Sequence, residues 1–151
     1  MSLGNDRFTL ERGIAALPAA VWAAFFDPKA RAIWSPPSPD EVFEVLEHDP
    51  RDGGAGLHRC GPKSDPTFMV ETRYHKLDEP ASVSFTEIVR KGDTPLAASQ
   101  VSVVFAATEA GTHLTLDVYT TSFVGDGMLA GTKGGWTTSI ANLIHHIESA
   151  S

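Results

Sequence analysis

The sequence GGWTTSIANLIHHI, residues 134–147, decides the fold more clearly than any other stretch of the chain. Its apolar residues recur at i, i+4, i+7, i+8 and i+11, so a helix would place them in one stripe. The stripe consists of Trp136, Ile140, Leu143, Ile144 and Ile147. The opposite side carries Thr138, Asn142 and His145, which are expected to face away from the core. A helix of this kind buries its stripe against another layer, and the preceding chain predicts that this layer is a sheet.

Seven strand-like segments, separated by turn signals, precede the helix. They cover residues 7–13, 41–48, 56–61, 66–77, 81–89, 98–108 and 112–121. Because the connections after the second segment are short hairpin turns, the pattern predicts a seven-stranded antiparallel sheet. Pro18 and Asp27-Pro28 begin two short helices after the first strand. The glycine-rich segment 123–133 is either a mobile lid or the start of the last helix.

Length and composition predict a single domain over residues 7–150, because the 151-residue chain is 42% hydrophobic and shows no linker. The order of strands and helices makes its predicted class α+β. The formal net charge of −7 disfavours nucleic acid and anionic membrane surfaces as partners. There is no apolar stretch of the roughly 18 residues that span a bilayer, so membrane insertion is not expected. We therefore predict a cytoplasmic protein, with a homodimer and a monomer both left open. The single cysteine, Cys60, is expected to be a small buried side chain.

Several short stretches, in this order along the chain, carry a family resemblance. They are residues 14–22, 26–34, 43–54, 111–116 and 135–136. With these stretches the chain resembles the helix-grip fold of the START/Bet v 1-like superfamily, also called SRPBCC. Within it the chain is similar to the branch named for the C-terminal domain of the activator of Hsp90 ATPase homologue 1. The resemblance implies a curved sheet, a long C-terminal helix across it, and a cavity between the two.

Glu87 is the most informative polar residue, because strand alternation places it on the same face as Val83, Phe85 and Val89. A carboxylate among apolar neighbours has a raised pKa, which suits a general acid or an anchor for a ligand. Two structural alternatives remain open: a bulge or a strand end lets Glu87 reach solvent, or an arginine pairs with it.

Further side chains are predicted to line the same cavity. Thr72 and Tyr74 share a strand face and offer hydroxyl groups, although Tyr74 is also typical of a core aromatic residue. His58 alternates with Cys60 on the hairpin strand, and a surface histidine is the alternative. The apolar candidates are Trp34, Phe85, Phe123, Met128 and Trp136. Of these, Trp34, Phe123 and Met128 are expected at the cavity entrance, and Trp136 at the first contact between helix and cavity.

The six histidines show no metal-ligand spacing, and no phosphate-binding loop or nucleophile motif is present, so neither a metal nor a cofactor is predicted. The leading hypothesis is a protein that binds a small hydrophobic or amphipathic molecule between the helix and the sheet. A second hypothesis is a cyclase, dehydratase or hydrolase that uses Glu87, Tyr74 or His58 as acid–base groups. A third, which the resemblance implies, is an interaction module that modulates a chaperone ATPase.

Overall fold

The computed structural model describes residues 3–150 as a seven-stranded antiparallel sheet and three helices. The strands are β1 (Gly4–Ile14), β2 (Glu41–His48), β3 (Ala55–Pro62), β4 (Phe68–Asp78), β5 (Ser82–Lys91), β6 (Thr94–Thr108) and β7 (Gly111–Ser122). The helices are α1 (Pro18–Phe26), α2 (Pro28–Trp34) and α3 (Asp126–Ser149). The strand order is β1-β7-β6-β5-β4-β3-β2, so β1 is the one strand placed out of sequence order. This architecture is the predicted helix-grip fold.

Two proline residues set the positions of the short helices. Pro18 occupies the first turn of α1, where no intrahelical partner for a backbone N–H is needed. Pro28 does the same for α2, whose N-cap residue Asp27 accepts a hydrogen bond at Oδ2 from the backbone N–H of Ala30 at 3.3 Å. Because α2 is only seven residues long, its buried positions are few: Ala30, Arg31 and Trp34.

One apolar core joins α1, α2 and the second part of α3 to the inner face of the sheet. The ring of Phe25 lies between Trp34 and Phe105, with ring centroids 5.4 and 5.6 Å away. From α3, Ile140 and Leu143 are fully buried in this core. Burial of this kind contributes about 25 cal/mol per Å² of apolar surface, so the core fixes how α3 lies across the sheet.

Helix α3 begins at Asp126, earlier than the amphipathic stretch alone indicates. Most of segment 123–133 is therefore the first part of this helix, which was one of the two alternatives. The expectation that the polar residues face away is wrong for Asn142, whose Nδ2 donates hydrogen bonds to the carbonyl oxygens of Trp34 and Pro36 at 3.3 and 3.1 Å. Ser139 Oγ donates to the carbonyl of Ser35 at 2.6 Å. Polar groups of α3 thus hold the end of α2.

Helix α3 packs on β1, β7, α1 and α2, whereas the other half of the sheet lies farther from it. Register shifts interrupt β2 between Val45 and Glu47, and β4 between Tyr74 and Lys76. Such bulges increase strand twist and bend the sheet. The bent sheet and the off-centre helix together leave space above β2 to β5. Among residues 3–150, no helix is long and apolar enough to cross a membrane.

Candidate functional site

A cavity of about 230 Å³ lies between the first part of α3, the end of α2 and the inner face of the sheet. Its walls are mainly apolar: Trp34, Phe43, Phe68, Val70, Val89 and Trp136. Gly131 and Gly135 line it from α3 and contribute no side chain. Polar residues also line the cavity: Arg31, Ser35, Glu41, His58, Cys60, Glu87, Ser99, Thr132 and Ser139. An apolar cavity with a few converging polar groups is the usual form of a small-molecule site.

Arg31 is the cation of this site, and only 9% of its surface is exposed. It lies on the same face of α2 as Trp34, one turn earlier, so the helix carries both into the cavity. The guanidinium carbon lies 4.8 Å from the ring centroid of Phe43 and 5.3 Å from that of Trp34. Burial lowers the pKa of Arg31, while the charge of Glu87 raises it. The guanidinium remains charged, because arginine loses its proton only far above neutral pH.

The Nε atom of Arg31 is fully enclosed and has no hydrogen-bond partner within the described part of the chain. The hydroxyl of Ser35, which also borders the cavity, is enclosed without a partner as well. Such groups cost roughly 1–3 kcal/mol each when left unpaired, and native proteins contain few of them. Both atoms border the cavity, so a molecule bound there could supply the hydrogen bonds that they lack.

Glu87 lines the cavity from β5 with its side chain on the predicted inner face. Burial raises the pKa of the Glu87 carboxyl, and the charge of Arg31 counteracts this. Among residues 3–150, no hydrogen bond or ion pair within 4.0 Å joins the Glu87 carboxylate to Arg31. The two groups therefore interact through the electric field of the cavity, not through direct contact. A direct arginine pair does not describe this arrangement, whereas Glu87 keeps part of its surface accessible, as the alternative in which a bulge or strand end lets it reach solvent requires.

His58 and Cys60 face the cavity from β3, and both are uncharged there. Burial, with a further contribution from Arg31, holds the pKa of His58 well below its ordinary value, so the imidazole is neutral near pH 7. The His58 ring lies 4.0 Å from the Phe43 ring, between centroids. Burial, followed by the charges of Glu87 and Glu41, raises the pKa of the Cys60 thiol to about 11. A thiol that stays protonated is a poor nucleophile.

The family model for "Activator of Hsp90 ATPase homolog 1-like protein" matches residues 15–148. The chain belongs to this family. No curated protein matches its sequence.

Solved structures of similar bacterial proteins share the fold over nearly their whole length. An uncharacterised protein from Rhizobium leguminosarum superimposes with a TM-score of 0.84 at 20% identity, covering 98% of this chain and 97% of its own. A protein from Chromobacterium violaceum gives 0.77 at 27% identity, covering 94% and 97%. The AHSA1-like protein from Aeromonas hydrophila gives 0.73 at 24% identity, covering 96% and 94%. The predicted superfamily and branch are thereby confirmed, whereas no ligand follows from these likenesses.

The structure of this family member brings together only some of the residues that the sequence singled out. Four of them line the cavity: Trp34, His58, Glu87 and Trp136. Trp34 is 1% exposed and donates from its indole Nε1 to the carbonyl of Ala24 at 3.0 Å, so it is a cavity wall and not an entrance residue. Trp136 is half-buried and contacts both the cavity and the core.

The other candidates lie elsewhere. Tyr74 and Phe85 belong to the core, where their ring centroids are 5.9 Å apart. Thr72 is buried beside Tyr74 at a separate void of about 10 Å³ that also touches Arg31 and His58. Phe123 and Met128 are not among the residues that line the cavity, since Phe123 precedes α3 and Met128 lies in its first turn. Their predicted entrance role has no geometric support.

Sequence reasoning missed the most buried charged group, Arg31, because a lone arginine among scattered basic residues is usually exposed. Its position three residues before Trp34 on a short helix was the available signal. It also missed Ser99, which lies directly opposite Glu87 on β6 and whose Oγ is 2.9 Å from Thr120 Oγ1. That neighbour depends on strand register, which no local pattern in the sequence specifies.

Proposed function

We propose that this protein binds a small, largely apolar molecule with one polar end, held in the cavity between α3 and the sheet. The observation that carries the proposal is the pairing of an apolar cavity with a buried cation and a carboxylate that do not contact each other. Leaving charged groups desolvated and unpaired is costly, so a ligand that supplies their hydrogen bonds gains affinity from them.

The size of the cavity limits the ligand. Its volume of about 230 Å³ lies below the range of roughly 300–1,000 Å³ typical of sites for drug-sized molecules. A molecule with one aromatic ring or a short alkyl chain and a single head group is therefore the expected size. Its apolar part would lie against Val70, Val89 and Trp136, and its head group would reach Arg31 and Glu87.

Three compounds with one skeleton test the proposal: hydrocinnamamide, hydrocinnamyl alcohol and hydrocinnamate. Binding is measured by calorimetry and by backbone amide shifts of the labelled protein. We expect at least one compound to bind and to shift the amides of Gly135 and Trp136, because both residues line the cavity. Failure of all three to bind at millimolar concentration would contradict the proposal.

Blocking variants from opposite walls test where the compounds bind. A Cβ added at Gly135 meets no atom within 4 Å, so Gly135→Leu starts from open space and is chosen to fill the cavity beside it. Val89→Phe narrows the cavity from β5. Both should abolish binding. The matched controls are Gly134→Leu, on the same helix but not lining the cavity, and Ile88→Phe, the next residue of β5, which also does not line it. Both controls should bind like the wild type.

A second candidate function is acid–base catalysis, favoured by one observation. The neutral His58 and the Glu87 carboxyl, with pKa shifts of opposite direction, line the same cavity. Active sites commonly contain pairs of titratable groups whose pKa values are shifted in opposite directions by their surroundings. Hydrolysis of nitrophenyl esters by the wild type, His58→Gln and Glu87→Gln would test the hydrolase version. Equal rates in all three would exclude it. The chaperone-module hypothesis stays a prediction that a pull-down with an Hsp90-type ATPase would test.

A further inference from the structure

The charges around the cavity set the chemistry of the head group it accepts. Three charged side chains line the cavity: Arg31, Glu87 and Glu41. Glu41 accepts a hydrogen bond at Oε2 from Ser38 Oγ at 3.2 Å, so it already has a donor. With His58 neutral and Cys60 protonated, Arg31 is the one positive charge that the described residues place in the lining, beside two carboxyl groups. An anionic ligand would add a further negative charge to a poorly solvated space, which is electrostatically unfavourable.

The hydrogen-bonding capacity of the cavity lining also favours an uncharged head group over an anionic one. Arg31 can only donate hydrogen bonds, and an ionised Glu87 can only accept them. A head group that pairs with both must therefore accept one hydrogen bond and donate another. Among residues 3–150, Arg31 Nε has no hydrogen-bond partner, and the interaction of Glu87 with Arg31 is Coulombic, without a direct ion pair. A carboxylate satisfies Arg31 alone, because it has no proton to donate to Glu87. A primary amide or a hydroxyl both accepts and donates, and therefore satisfies both groups without adding charge.

We infer that the cavity selects an uncharged head group that accepts a hydrogen bond from Arg31 and donates one to Glu87, in preference to a carboxylate on the same skeleton. This inference rests on the proposed function and narrows it to neutral amides and alcohols. The apolar walls set the body of the ligand, and the separated Arg31–Glu87 pair sets its head group.

The test compares hydrocinnamamide with hydrocinnamate by calorimetry near pH 7.5, in the wild type and in Glu87→Gln. We expect the wild type to bind the amide at least about tenfold more tightly, the ratio that one unpaired buried hydrogen-bonding group produces. In Glu87→Gln the preference should reverse, because glutamine is uncharged and leaves the Arg31 cation free to bind a carboxylate. The glutamine side chain has the same shape, so the variant keeps the cavity volume.

Two further variants locate the effect. Glu71→Gln is the matched control, since Glu71 lies on the neighbouring strand β4, on the exposed face, with its Oε1 3.1 Å from Arg90 Nε. It should keep the wild-type preference for the amide. The double variant Arg31→Met, Glu87→Gln should lose the tight binding of hydrocinnamate, because the cation that attracts it is gone.

The outcomes separate the inference from the proposed function. Tighter binding of hydrocinnamate, or equal affinity for both compounds, in the wild type would overturn the inference while leaving ligand binding intact. An unchanged preference for the amide in Glu87→Gln would overturn the inference too, since Glu87 would then have no part in selecting the head group. Absence of binding by hydrocinnamamide, hydrocinnamate and hydrocinnamyl alcohol alike, or binding that the Gly135→Leu block does not weaken, would overturn the proposed function itself.

Discussion

The two halves of helix α3 pack in different ways, although they are continuous in the chain. The glycine-rich half, residues 126–135, contains Gly127, Gly131, Gly134 and Gly135, and none of its residues is fully buried. The packed half, residues 136–149, contributes every buried residue of the helix: Ser139, Ile140, Leu143 and Ile147. The cavity lies under the glycine-rich half and the first turn of the packed half, where Trp136 and Ser139 line it, and the core lies under the rest of the packed half.

This difference teaches that one helix both completes the core and bounds the cavity. Glycine is among the poorest helix formers, at about 1 kcal/mol per residue relative to alanine, so the glycine-rich half is not stabilised by propensity. It gains its conformation from continuity with the packed half, whose apolar stripe is held in the core. The missing side chains of Gly131 and Gly135 leave room that a larger residue would fill. The packed half of α3 therefore stabilises the fold, and the glycine-rich half leaves space for the cavity.

The largest expected contrast comes from truncating one leucine in each half. Leu143 is fully buried, so Leu143→Ala should lower the free energy of unfolding by about 2–5 kcal/mol. Leu129, in the glycine-rich half, is only half-buried, and Leu129→Ala should cost less than about 1 kcal/mol. Urea unfolding followed by circular dichroism measures both. Similar losses in the two variants would mean that the halves do not differ in packing as described.

A smaller effect is expected from the polar contact between the packed half and α2. Ser139→Ala removes the donor of the 2.6 Å hydrogen bond to the Ser35 carbonyl, at a buried position, and should cost about 1–3 kcal/mol. Thr137→Ala is the control, because the Thr137 hydroxyl bonds within the exposed face of the helix at 2.7 Å. The same urea experiment applies. A Ser139→Ala variant as stable as Thr137→Ala would show that the contact does not hold α2 in place.

The stability of the protein should depend on pH through His58, which lines the cavity from the sheet, opposite the glycine-rich half. Burial keeps the folded-state pKa of His58 well below the ordinary value of 6.5, so the unfolded chain takes up a proton there before the folded one. The contribution of His58 to stability is therefore complete above about pH 6.5 and decreases as the pH falls below that value. His58→Gln should remove this loss.

Thermal unfolding between about pH 5 and 8 measures the difference between the wild type and His58→Gln, with His145→Gln on the exposed surface of α3 as the control variant. Glu87 contributes with the opposite sign, since its raised pKa makes the folded state hold a proton to higher pH, but it is present in all three proteins and cancels in the comparison. If His58→Gln loses as much stability as the wild type when the pH falls, His58 is not responsible for that loss.

The smallest expected effect is a gain of stability. Gly134 is exposed, and an added Cβ there meets no atom within 4 Å. Gly134→Ala should raise the free energy of unfolding by about 0.5–1 kcal/mol, because alanine loses less backbone entropy in a helix. A loss of stability instead would contradict the helical conformation of the glycine-rich half.

Local patterns in the sequence predicted most of the fold. The seven strands and three helices follow from alternation, helical spacing and turn residues, and their bounds differ from the structure mainly at the ends. The pattern failed to decide between a lid and a helix at the start of α3, because four glycines within ten residues are also typical of a loop. It also failed for Asn142, whose partners are backbone carbonyls at the end of another helix.

The candidate site was only partly predictable. Alternation along β5 was sufficient to place Glu87 on the inner face, because side-chain direction in a strand depends on position alone. Phe123 and Met128 were assigned to the entrance from their nearness to a loop, a criterion that does not specify the direction in which either side chain points. Tyr74 shares a strand with a cavity-lining residue, Val70, yet lies farther along it, in the core.

By itself, the sequence determined the order of the elements, the face of β5 that carries Glu87 and the helix that covers the sheet. These features depend on interactions between residues that are near in the chain. Only the tertiary structure decided that Arg31 lies across the cavity from the sheet, out of direct contact with Glu87, and that Ser99 lies beside that carboxylate. These placements depend on strand register and on how α2 and α3 pack, which bring together residues that are distant in the chain.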